Sequence, residues 1–355
     1  MRSTAALALL FTLVSVTACP SKEKLGSSAL AVLGPGVVNN PGNRSLRFDI
    51  LKFGLDRFCF EMTRRGAPLK LSDDQPVLGR FFADSCQSQV LDDETRKSFV
   101  VRYSGKGWGW TNLTGRIGFR ATGLIEYSPD FQLHDEAMYV YFRPRNVNAT
   151  SFETLMVESG VARVGMAVTG VDPNQLGKQI VEGQLRRGFT VIRYDSEGET
   201  DFGIGIVPIG LKPFKPFTIQ STEHRVLAND RTEVHMNQQD FIGGFEVTDD
   251  DQALYLTYSL DGAPAVDVFV VPKSVGDQMI DQYASRAGPA ALAAAPQLDE
   301  PLAAGSLWKR FVPLNKGFYY VVVDNSAAVG RTAPPAGQGD RAAKVDYLVQ
   351  LGERP

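Results

Sequence analysis

Two residue types that commonly build active sites are scarce in this chain, with three cysteines and three histidines among 355 residues. His134, His224 and His235 each lack a second His or Cys at metal-ligand spacing, so no imidazole or thiolate metal motif is expected. An excess of one charge is also missing. Lys and Arg number 37 against 40 Asp and Glu, a formal net charge of −3, with no basic stripe to track a nucleic acid backbone. No Gly-x-Ser-x-Gly elbow occurs, which removes the commonest serine hydrolase signature. Gly105-Lys106-Gly107-Trp108-Gly109 lacks the Gly-Lys-Ser/Thr ending of a phosphate cradle. Gly203-Ile204-Gly205 lies in a strand-like run with no capped helix after it, so no nucleotide cofactor is expected. Beyond the first twenty residues no apolar run approaches the about 20 residues that a membrane-spanning helix needs.

What the chain does have begins at its amino terminus. Met1-Arg2 supplies a positive charge, Ala5 to Val14 is uncharged and mostly apolar, and the run closes on Val16-Thr17-Ala18-Cys19. This is the anatomy of a secretory signal peptide. Val16 to Cys19 resembles a bacterial lipobox, with an aliphatic residue three before the cysteine and a small residue just before it. The resemblance implies cleavage before Cys19 by signal peptidase II and attachment of the chain to a lipid bilayer through acylated Cys19. Pro20 stands where an Asp would favour the inner membrane, so the outer membrane of a bacterial envelope is the expected address. With Cys19 acylated, Cys59 and Cys86 remain as an even pair in an oxidising compartment, and a disulfide between them is expected. Closing that loop stabilises a fold by about 3.5 kcal/mol in the chain-entropy account.

Four segments follow from the pattern: a signal peptide over 1–18, a lipidated tether over 19–45, a β-rich α+β domain over 46–240, and a β-sandwich over 241–355. The expected fold class is mainly β (α+β), an antiparallel-sheet domain with one capped helix followed by the sandwich. Residues 20–44 are rich in Gly, Pro, Ser and Asn without period and read as a flexible linker. Residues 46–62 fit two periods, a strand through Leu46, Phe48 and Ile50 or a helix through Leu51, Leu55, Phe58 and Met62. Strands are expected around 98–103, 117–121, 137–142, 161–168, 189–194 and 202–209, where β-branched and aromatic residues lie between turn signals. The one helix with full punctuation starts at Asp172-Pro173. It carries Leu176, Ile180, Val181 and Leu185 on a stripe, has Arg186 and Arg187 in its last turn, and stops at Gly188.

The carboxy-terminal succession of strands is similar to the bacterial pre-peptidase C-terminal domain and to GOLD-type sandwiches. Val266-Asp267-Val268-Phe269-Val270 matches their apolar-Asp-apolar-aromatic-apolar strand, and Gly317-Phe318-Tyr319-Tyr320 matches a late Gly-x-Tyr-Tyr strand. The match spans about the last 115 residues. It departs from the family where 274–286 reads as a helix and where 287–305 reads as an Ala/Pro-rich insertion. The resemblance implies a non-catalytic binding or spacing module.

No catalytic residue and no metal ligand is assigned. Trp108 and Trp110, flanking Gly109 in what reads as a Gly-rich turn, are the candidate ligand contacts, because indole faces stack on sugars and anchor protein partners. Core packing is the ordinary alternative for both. Asp249-Asp250-Asp251 lacks EF-hand spacing and reads as a turn. Three function classes follow. The first is a non-enzymatic envelope component that binds or scaffolds an envelope protein. The second is a carbohydrate- or peptidoglycan-binding lipoprotein using the two tryptophans. The third is a hydrolase using carboxylates such as Glu126, Asp135 and Glu136.

Overall fold

The computed structural model describes residues 35–55, 58–93, 96–135, 137–160, 172–194, 200–219, 223–335 and 340–355. The lipobox with Cys19, the strand expected at 161–168 and Glu136 lie outside the described residues.

The ambiguous stretch near residue 50 resolves as helix. α1 spans Arg44–Leu55 and α2 spans Phe58–Arg64. Phe48, Leu51 and Leu55 are buried, a spacing of three and four that only a helix places on one face. The span expected to be tether, 19–45, overlaps folded chain from Pro35 onward. After a helical turn at Pro35–Val38, the Asn39 amide donates to the Leu133 carbonyl and accepts from the Leu133 N–H, both at 2.8 Å. The chain is therefore pinned to the fold from Asn39 onward, because a side-chain amide can mimic a strand partner.

Seven antiparallel strands form a meander in sequence order: β1 Ala67–Leu69, β2 Gly79–Asp92, β3 Lys97–Thr111, β4 Gly115–His134, β5 Ala137–Val157, β6 Phe189–Tyr194 and β7 Thr200–Ile204. β4 and β5 run 20 and 21 residues. Register shifts at Ala83/Ser85, Gly118/Phe119, Thr122/Gly123 and Glu126/Tyr127 bend these strands, and the sheet curls. One face carries Phe81, Phe99, Phe119, Tyr127 and Phe142, covered by Leu55, Phe58 and Met62 of the leading helices. Helix α3, Pro173–Arg186, adds Val181 and Leu185 to that face. Asp172 caps it by accepting from Asn174 N–H at 2.9 Å, Pro173 opens it, and Gly188 leaves it at φ +68°. The side chains of Leu176 and Ile180 lie outside the described residues.

Two four-stranded antiparallel sheets then face each other as a sandwich. The remaining elements are β8 Arg225–Val234, β9 Gln238–Val247, β10 Gln252–Asp261, β11 Ala265–Pro272, α4 Lys273–Ser285, β12 Leu298–Ala303, β13 Trp308–Pro313, β14 Gly317–Asn325 and β15 Ala343–Glu353. The strand orders are β13-β10-β15-β8 and β12-β11-β14-β9. The sandwich therefore starts at Arg225, and the expected boundary at 240/241 falls inside β9. The reason is pairing: β8 bonds to the last strand and β9 to β14, long-range partners that no local pattern announces. The expected insertion at 287–305 contains β12, which pairs with β11.

Val266, Val268 and Val270 of β11 fill the sandwich interior, while Phe269 and Val271 point the other way. That outer face is buried too, beneath Met279, Ile280 and Tyr283 of α4 and beneath Phe82 and Trp108 of the curled sheet. Curled sheet and sandwich thus share one core. At the seam, a side chain at Gly118 would place its Cβ 1.8 Å from the Ala284 carbonyl oxygen, so only glycine admits this approach of β4 to α4. Backbone bonds add to the join: Val77 N–H donates to Arg231 O at 2.8 Å and Glu233 N–H to Val77 O at 3.0 Å.

Candidate functional site

Cys59 on α2 and Cys86 on β2 are bonded as a disulfide with Cα atoms 5.2 Å apart, as the even cysteine pair led us to expect. The bond fastens the leading helices to the second strand of the curled sheet.

The two tryptophans part company. Gly105 to Gly109 is not a turn but the body of β3. A Cβ at Gly105 would lie 2.2 Å from the Phe82 carbonyl oxygen, so the glycines allow close strand contact. Trp108 is 3% exposed. Its ring stacks on Phe82 at 5.5 Å and meets Phe241 and Tyr283 edge-on at 5.5 and 5.0 Å. The expected ligand contact at Trp108 is therefore corrected to a core position, because α4 and β9 occupy the space a sugar would need. Trp110, two residues on and on the same strand face, is half-buried and stacks on His235 with ring centroids 3.5 Å apart.

That stack belongs to a polar cluster assembled from β3, β8 and the approach to β15. His235 is nearly buried. Its Nδ1 lies 2.7 Å from Asp340 Oδ2, and its Nε2 lies 3.1 Å from Glu233 Oε1. Asp340 also accepts from Met236 N–H at 3.0 Å. The hydrogen bond from His235, opposed by partial burial, holds the Glu233 carboxyl below its ordinary range. The ring therefore has a carboxylate beside each of its nitrogens. The two carboxylates lie on opposite sides of the ring, so the three groups do not converge on one point. Among the described residues, no group of three or more His, Cys, Asp or Glu is arranged to hold a metal ion.

A second polar cluster sits at the covered outer face of the sandwich. Asp267 and Asp324 are opposite each other on β11 and β14, and both are 0% exposed. Asp267 Oδ2 accepts from Arg331 N–H at 3.0 Å, and from Thr332 N–H and Oγ1, both at 2.8 Å. Its Oδ1 is buried without a hydrogen-bond partner. Asp324 accepts from Ser326 Oγ. Burial pushes the Asp324 carboxyl up to about 7, against the hydrogen bonds from Gln239 and Ser326 and with the help of the Asp267 charge.

Of the carboxylates considered for hydrolysis, the two described ones, Glu126 and Asp135, do not meet. Glu126 is held by Arg96, with contacts of 3.0 and 2.6 Å, and this pairing lowers its carboxyl pKa against partial burial. Asp135 is at the β4–β5 hairpin tip, nine residues away along an extended strand, or about 30 Å. His134 is exposed beside Asp135, and His224 stacks on Tyr255 at 3.8 Å. Asp249 to Asp251 turn between β9 and β10.

Sequence reasoning missed the buried ion pair that locks the two sheet systems. Arg80 of β2 reaches Asp240 of β9 through Nε–Oδ1 at 2.7 Å and Nη2–Oδ2 at 2.8 Å, and also donates to Tyr347 at 3.2 Å. Burial works against the Arg80 charge, and Asp240 more than offsets it, so the guanidinium pKa stays above its ordinary value. Arg116, wholly buried, lies 3.6 Å over the Tyr283 ring and donates to the carbonyls of Arg286 and Gly288. Neither arginine stands in a motif. The only local signal is a charge inside a strand-like apolar run.

The fold and these clusters define a mainly-β, disulfide-bonded protein in which a curled antiparallel sheet and a sandwich share a core. In comparison with known proteins, no family model matches the chain and no curated protein is similar to it.

Proposed function

We propose that this chain is a bacterial envelope lipoprotein, anchored through acylated Cys19, whose sheet and sandwich act as a non-enzymatic binding or scaffold component. The observation that carries the reading is the Val16-Thr17-Ala18-Cys19 segment closing a cationic and then apolar start. The disulfide supports it, because such bonds persist in oxidising compartments. The likeness of the last 115 residues to pre-peptidase C-terminal sandwiches supports a module without chemistry of its own. Both ring nitrogens of His235 face carboxylates and Glu126 is held by Arg96, which supports structural roles for these polar groups. Pro20 after the cysteine favours the outer membrane. The test is fractionation of cells making the wild-type chain or Cys19→Ala, with mass spectrometry of the amino-terminal peptide. Acylated Cys19 in the outer-membrane fraction, and release of the variant, are expected. An unmodified Cys19 refutes the anchor.

A further inference from the structure

The segment after β7 carries an unusual density of exposed apolar side chains. Ile206 is 40% exposed, Ile209 41% and Leu211 56%. Single exposed apolar residues need no explanation, but three within six positions make a candidate interaction surface. The segment is held firmly. Val207 is buried against Tyr139 and Ile192, and its N–H donates to Thr190 Oγ1 at 2.9 Å. Gly210 N–H donates to Tyr139 Oη at 3.1 Å, and that hydroxyl lies 3.4 Å from Leu211 O.

Its position says what covers it. Tyr139 is on β5 opposite Gln132, next to the β4–β5 hairpin tip, and a Cβ on Gly210 would lie 3.9 Å from His134 Nε2. Asn39 clamps Leu133, the neighbour of His134, and Val37 just before it is 46% exposed. The described chain therefore begins beside the same hairpin that the apolar segment reaches. Between Cys19 and Pro35 lie fifteen residues, so the two ends can be no more than about 58 Å apart even when fully extended. Charge at this end is mixed and does not itself favour an anionic surface, so the contact argued for is apolar. Lys212 is exposed, Lys215 is paired with Asp201, Asp73 accepts from the N–H groups of Ile204 and Phe214, and Asp74 and Asp135 are exposed acids.

We infer that Ile206, Ile209 and Leu211 form a docking face that rests in the headgroup region of the bilayer to which the chain is tethered. The inference rests on the anchor reading above. A lipid tether holds the face at high local concentration next to the membrane, so a shallow apolar contact suffices to orient the whole protein. The sandwich is then presented away from the anchor.

The test couples the chain beginning at Cys19 to vesicles of phosphatidylcholine and phosphatidylglycerol through a maleimide lipid. Cys19 is the thiol left for coupling, because Cys59 and Cys86 are taken up in the disulfide. Chemical coupling supplies the anchor whether or not a cell acylates Cys19, so failure here and failure of the anchor reading are separate results. Leu211→Trp is compared with Leu307→Trp, an equally exposed site in the sandwich, using brominated lipids as quenchers. Quenching of the Leu211→Trp signal at least about two-fold above that of Leu307→Trp is expected, and adding Ile206→Asp with Ile209→Asp abolishes the difference. Equal quenching at both sites, or none at Leu211→Trp while its circular dichroism matches wild type, overturns the proposal and leaves this face to a protein partner.

Discussion

Replacing Asp324 by Asn should stabilise this protein at alkaline pH and do little at acid pH. Asp324 is wholly buried, opposite Asp267, and its carboxyl is raised from 3.8 to about 7, first by burial. Between these two values the folded state keeps a proton that the unfolded chain has released. Stability therefore falls as pH rises across the window, and the loss is complete above about 7. At 1.36 kcal/mol per pH unit, the full penalty is about 4 kcal/mol, an upper bound because a buried site relaxes when it ionises. The amide introduced by Asp324→Asn never ionises, so it carries none of this penalty. Urea unfolding followed by tryptophan fluorescence at pH 5 and pH 8 measures the difference between variant and wild type. Carboxylates whose pKa is lowered, such as Glu126 and Glu233, shape both profiles alike and cancel. A variant-minus-wild-type difference that is equal at the two pH values would refute the reasoning.

Three further outcomes are expected. Cys59→Ala with Cys86→Ala should lower unfolding free energy by about 3.5 kcal/mol, read by urea titration, because the bond closes a loop with sequence separation 27. Arg80→Met alone should cost about 3–5 kcal/mol by leaving Asp240 buried and unpaired. Adding Asp240→Leu should recover most of that, and a double variant as unstable as the single one would argue against the pair. Trp108→Ala should cost about 3–5 kcal/mol in thermal or urea unfolding, as a core deletion does. A fully stable Trp108→Ala protein would make the residue a candidate ligand contact again.

Much of the architecture was legible because it has a local cause. The helix from Pro173 announced itself through Asp172, Pro173 and Gly188, each acting within its own turn. The strands around Ser98, Ile117, Ala137 and Phe189 followed from β-branched and aromatic runs between turns. The disulfide followed from cysteine parity and the expected compartment. Where two periods competed, in 46–62, the sequence could not choose. Tertiary packing chose the helix, because Phe48, Leu51 and Leu55 are buried on one helix face, with Leu51 and Leu55 packed against the curled sheet. At Trp108 the core alternative is the one the fold realises, for a related reason. Glycines at alternate positions suggest a turn, yet here they admit a neighbouring backbone at a strand contact.

By itself, the sequence determined the cationic and apolar amino terminus, the β-rich character, the capped helix and the cysteine pair, since each depends on neighbours within a few residues or on composition. Only the tertiary structure decided that β8 and β9 belong to the sandwich, that Arg80 locks to Asp240, and that His235 lies between Glu233, Asp340 and Trp110. These contacts join residues separated by as much as 160 positions. They depend on which strand faces are left uncovered once the sheets have paired, and no periodicity in the chain records that.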